Sequence, residues 1–96
     1  MTVLHSNNQQ LVAAVREALA PTEFEVRPIR SRMDVPMKAD AIVTKATPSK
    51  RIELLACGMG CYPVCLPEAA DFLAAKVRSG AWTVLAGADC DEIKLM

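Results

Sequence analysis

The sequence predicts a small α/β domain built on a mostly parallel five-stranded sheet. Three observations predict it. Short apolar runs of strand length alternate with longer stretches of helical periodicity, as in strands joined by crossover helices. Capping and stop residues stand at the ends of those periodic stretches. The chain has 96 residues, 52 % of them apolar, which suffices for one core over residues 1–96 and leaves no room for a second domain.

Thr2 to Ser6 reads as the first strand. Ser6, Asn7 and Asn8 follow as candidate helix caps, because their side-chain oxygens can accept the unpaired amides of a first helical turn. Gln9 to Ala20 then sets Leu11, Val15, Ala18 and Leu19 on one helical stripe, and Pro21 ends it. Phe24 to Arg30 alternates like a strand, and Pro28 confines it to a sheet edge. Ser31 to Ala39 has no periodicity and reads as a loop. Asp40 to Lys45 is a short third strand with an apolar centre.

Thr47 to Gly58 admits a helix or a hairpin arm. The helix is the better reading: Thr47 stands at the cap, Pro48 at the first helical position, Ile52, Leu55 and Ala56 on one face, and Gly58 just past the end. Gly58-Met59-Gly60 is then a stop and a turn. Cys61 to Leu66 forms the fourth strand. Pro67 opens a last helix with Glu68 and Asp71 in its first turn and Lys76 and Arg78 in its last, as the helix dipole favours. Ala69, Phe72, Leu73, Lys76 and Val77 trace its inner stripe, and Gly80 closes it. Trp82 to Ala86 is the fifth strand, and Gly87 to Met96 a short tail.

The order β-α-β-β-α-β-α-β resembles the flavodoxin-like topology with two helices missing. Within that layout it is similar to the response-regulator receiver domain over nearly the whole chain, in element order rather than in motif. A receiver carries an acidic pair after its first strand, where this chain has Ser6-Asn7-Asn8. Its phospho-accepting aspartate ends the third strand, where this chain has Thr44-Lys45. Its lysine follows the last strand, where this chain has Leu85-Ala86-Gly87. The resemblance therefore implies a degenerate, non-phosphorylating form. Two absent helices leave part of a parallel sheet uncovered, and such sheets normally have both faces covered. A protein partner, a second copy included, is the expected cover, with Trp82, Ile93, Leu95 and Met96 as candidate interface residues.

Eleven basic and eleven acidic residues balance, and a pI near 6.5 argues against nucleic-acid binding by bulk charge. Aromatics make up only 4 %, which also weakens any base-stacking platform. No apolar run is long enough to span a membrane, and Met1 to His5 lacks a basic leader. Four cysteines without an export signal place the chain in a reducing cytoplasm. No cofactor is called for.

Two constellations can carry chemistry. Cys57, Cys61 and Cys65, with distant Cys90, could ligate metal or act as redox thiols; the wide spacing favours packing. The crevice at the carboxyl ends of the first and third strands would gather His5, Ser6, Asn7, Asn8, Thr44, Lys45 and Thr47 near two helix amino termini, a place where small anions bind. Simple capping explains the same residues. No acid–base pair or activated nucleophile stands out, so a non-catalytic regulatory protein acting through protein–protein contact, as a dimer, is the function expected.

Overall fold

A computed structural model of the chain describes residues 2–45 and 49–87. The strands are β1 (Val3–His5), β2 (Glu25–Arg27), β3 (Ala41–Thr44), β4 (Tyr62–Cys65) and β5 (Thr83–Ala86), and the helices α1 (Gln9–Leu19), α2 (Lys50–Met59) and α3 (Ala70–Ser79). A 3-10 turn spans Arg32–Asp34. All five strands run parallel in the order β2-β1-β5-β3-β4. The expected α/β class and parallel sheet are therefore present. Within that layout β5 returns to the centre, between β1 and β3.

Alternation along the strands makes two cores. Leu4, Ala41, Val43, Val64, Val84 and Ala86 pack on one side with Leu11, Val15, Leu19, Leu73 and Val77 of α1 and α3. Ile42 and Leu85 point to the other side, where Ile52 and Ala56 of α2 meet them. The split follows from direction. The β1-to-β2 and β4-to-β5 connections move one way across the sheet and β3-to-β4 moves the other, so right-handed crossovers put α2 opposite α1 and α3.

No α-helix joins β2 to β3, yet the sheet beneath that connection is covered. Ile29, Val35 and Ala39 belong to the same apolar cluster as Ile42, Ile52 and Leu85, and Ile29 is 1 % exposed. An extended segment with three anchoring side chains takes the place of a crossover helix.

Helix ends show where local rules were outweighed. Asn8 is the cap of α1, its Oδ1 accepting from Leu11 N–H at 3.1 Å. In α2 the cap is Ser49, whose Oγ accepts from Ile52 N–H at 3.2 Å, rather than Thr47. Its stop is Gly60, at φ 68°, and Gly58 sits inside the last turn. Gly60 N–H bonds to Cys57 O and Cys61 N–H to Ala56 O, the pair of bonds that closes a helix through a left-handed residue. Cys61 and Ala56 then pack together in one cluster. Pro67 does not open α3 directly. Ala69 N–H to Cys65 O and Ala70 N–H to Pro67 O form a turn first, so α3 begins at Ala70. Its buried stripe is Leu73, Ala74 and Val77. Phe72 lies outside that stripe, where it meets Tyr62 edge-on at 5.4 Å.

Candidate functional site

The sequence predicts a crevice at the carboxyl ends of β1 and β3, and there the structure sets one strand between the two groups of residues. β5 lies between β1 and β3, which separates His5, Ser6 and Asn7 from Thr44 and Lys45. Ser6 and Thr44 are buried. Ser6 Oγ accepts from Asn8 N–H at 3.0 Å. Thr47 lies outside the described residues. Lys45 is exposed and lines a groove of about 570 Å³ between α1 and α3, beside Ala14, Ala18, Leu66 and Ala70.

Asn7 has a structural job. Its Oδ1 accepts from Ile29 N–H at 2.8 Å, and its Nδ2 donates to Ile29 O. One side chain thus pairs both polar groups of one residue, as a neighbouring strand would, and pins the connection where it leaves β2. The Asp34 carboxylate closes the next loop by accepting from Arg30 N–H at 2.7 Å.

His5 lies on the side of the sheet covered by this connection and is 8 % exposed. Its Nδ1 is buried without a hydrogen-bond partner among the described residues. Burial, then the Arg27 guanidinium, lowers its pKa, while the Asp34 backbone, the Asp34 carboxylate and Glu25 oppose the shift. The imidazole is therefore neutral at neutral pH.

The three described cysteines are free thiols in different settings. Cys57 is exposed on the last turn of α2, Cys61 is buried before β4, and Cys65 is half-buried at the end of β4. Burial raises the Cys61 pKa. A hydrogen bond with Glu68 raises that of Cys65 first, with burial adding to it, against a hydrogen bond with Thr44. Both thiols stay protonated at neutral pH and are poor nucleophiles. Among the described residues no three His, Cys, Asp or Glu side chains are grouped as metal ligands; Cys90 lies outside them.

Exposed large apolar side chains occur on two parts of the surface: Tyr62 and Phe72 beside β4 and α3, and three residues on the side bearing α2 and the β2–β3 connection. Met33 and Met37 are 94 % and 97 % exposed on the connection, and Leu54 is 64 % exposed on the outer face of α2. Single exposed apolar residues are ordinary, whereas several on one side make that side worth testing for contact. Trp82 is different. It is half-buried against the first core and stacks on Tyr62 at 6.3 Å with planes 5° apart. Ile93, Leu95 and Met96 lie outside the described residues.

Comparison of the chain with protein-family models, with curated proteins and with solved structures finds no match. No helix among the described residues is long and apolar enough to cross a membrane.

The sequence reading missed the clamp by Asn7 and the covering role of residues 28–39. A signal was present. Ile29, Val35 and Ala39 are apolar residues with neither helical nor strand spacing, as in an extended segment that touches a core at intervals.

Proposed function

We propose that this chain is a non-catalytic regulatory protein that works in the cytoplasm by binding another protein through the side of the sheet covered by α2 and the β2–β3 connection. The near-complete exposure of Met33 and Met37, with Leu54 on the same side, carries this reading. Methionine is flexible and polarizable, which suits an adaptable contact. His5 is buried and the Cys61 and Cys65 thiols are held protonated, which weighs against reactive chemistry at these three groups. Free thiols fit a reducing compartment.

The test is affinity capture from the source cells, identification of the retained protein, and a binding titration with the two purified proteins. The triple variant Met33→Ser/Met37→Ser/Leu54→Ser, all at exposed positions, keeps its fold and loses about tenfold or more in affinity, the cost of removing central apolar anchors. A partner that binds the variant as tightly as the native chain overturns the reading.

A further inference from the structure

The balanced net charge hides an uneven distribution. Between Arg27 and Arg51 the chain carries seven basic residues against two acidic ones, and the remainder carries four against nine. The two acids in this segment are both engaged by backbone amides: Asp34 accepts from Arg30 N–H at 2.7 Å and Asp40 from Thr83 N–H at 2.8 Å. Arg27 is paired with Glu25 at 3.1 Å. Arg30, Arg32, Lys38, Lys45 and Lys50 are exposed, as is Arg51, which has an interaction of its own.

The fold keeps five of the six on one side of the sheet, with Glu53 of α2 among them, while Lys45 lines the groove between α1 and α3 on the other side. Arg30, Arg32 and Lys38 lie on the connection that crosses the second side of the sheet, and Lys50 and Arg51 lie in the first turn of α2 on that side. Ile29 and Ile52 share one buried cluster, so the cations that follow Ile29 and those that precede Ile52 flank the same apolar floor. Met33 and Met37 stand among them.

We propose that the partner bound on this side is an acidic, amphipathic segment of a different protein, with carboxylates for the cations and apolar side chains for Met33 and Met37. This rests on the interaction reading above and names the chemistry of its partner. Charge decides against a second copy in two-fold contact through this side, because an isologous interface would set one ring of cations against the other. The methionines decide against nucleic acid. Phosphates answer cations alone, and the described aromatics lie elsewhere: Tyr62, Phe72 and Trp82 cluster around β4 and α3, and Phe24 packs against the first core beneath Arg16.

The experiment selects random peptides of about twelve residues, enough for three helical turns, on the native chain, on Arg32→Glu/Lys50→Glu, and on Met33→Ser/Met37→Ser. Each variant is first matched to the native chain in urea midpoint. Peptides recovered on the native chain are expected to combine an excess of Asp and Glu with Leu, Phe or Met. They should bind the charge variant about tenfold more weakly and lose affinity as salt rises from about 0.05 M to about 0.5 M. They should also bind the methionine variant more weakly.

Peptides that depend on the methionines but show no acidic excess would overturn the proposal while leaving the interaction reading in place. Peptides that depend on neither pair, or no enrichment at all, would overturn both. A dT oligonucleotide that binds in a charge-dependent, methionine-independent way would replace the proposal with nucleic-acid binding. A concentration-dependent dimer lost in the methionine variant would replace it with self-association.

Discussion

Replacing Asn7 by alanine tests whether the β2–β3 connection is a built part of the core. Asn7 makes two hydrogen bonds to one peptide unit set, the N–H and the C=O of Ile29. Each is worth about 1 kcal/mol net, and more where the backbone group left behind stays sheltered. Ile29 is 1 % exposed, so its polar groups regain water only if the segment lifts. The expected loss is about 2 kcal/mol, an approximately 30-fold shift in the folding equilibrium and a fall of about 10 °C in Tm for a chain of this size. Urea denaturation followed by the fluorescence of Trp82, the sole tryptophan, reads it directly, since its ring lies against Tyr62 in the folded chain. Asn7→Asp should cost as much: it keeps the acceptor for Ile29 N–H but turns a carboxylate oxygen toward Ile29 O. Asn8→Ala is the scale, because loss of one helix cap costs about 1 kcal/mol. If Asn7→Ala costs less than Asn8→Ala and Ile29→Ala is also mild, the connection is not clamped and the second side of the sheet is bare.

Stability should fall on acidification through His5. Its folded pKa lies below the ordinary value of 6.5, so the unfolded chain takes up a proton first and stability declines as pH drops below about 6.5, levelling once the folded chain is protonated too. His5→Gln should flatten that part of the profile, and parallel profiles would remove His5 as its source. The two glycines of α2 should respond oppositely to alanine. Gly60→Ala costs about 1 kcal/mol because its backbone is left-handed, whereas Gly58→Ala gains about 0.5 kcal/mol inside a helix with open space around the new methyl group. Thiol-reagent kinetics should show Cys57 reacting at once and Cys61 only on opening of the fold, since one is exposed and the other buried; equal rates would contradict the packing described here.

What was legible in the sequence was what local chemistry decides. Leu11, Val15 and Leu19 mark α1 at helical spacing, and Pro28 announces an edge strand. Strand order was not legible, because the return of β5 to the centre depends on which strands share a core across the whole chain. Its consequence was large, since it set β5 between His5 and Thr44, two residues of the expected crevice. The stop of α2 was missed for a related reason. Gly58 and Gly60 are equivalent by residue type, and only the packing of Cys61 against Ala56 chooses the second. The cation-rich side was hidden by summation. Charge counted over 96 residues gives zero, and only counting over 27–51 shows the imbalance.

Edges and faces of the sheet do different work here. In β2, Glu25 N–H bonds to Thr2 O and Arg27 O accepts from Ser6 N–H, so Glu25 and Arg27 bond inward. The alternation of a parallel ladder then turns Val26 and Pro28 to the free edge. In β4, Tyr62 N–H and Leu66 N–H bond to Asp40 O and Thr44 O, which turns Pro63 and Cys65 outward by the same rule. Each free edge therefore carries a proline where an added strand would need an N–H donor, and β2 is only three residues long. Short, proline-bearing edges resist strand addition. Backbone-to-backbone addition is therefore disfavoured at both edges of this sheet, which supports side-chain contact with the methionine-bearing face as the mode proposed above.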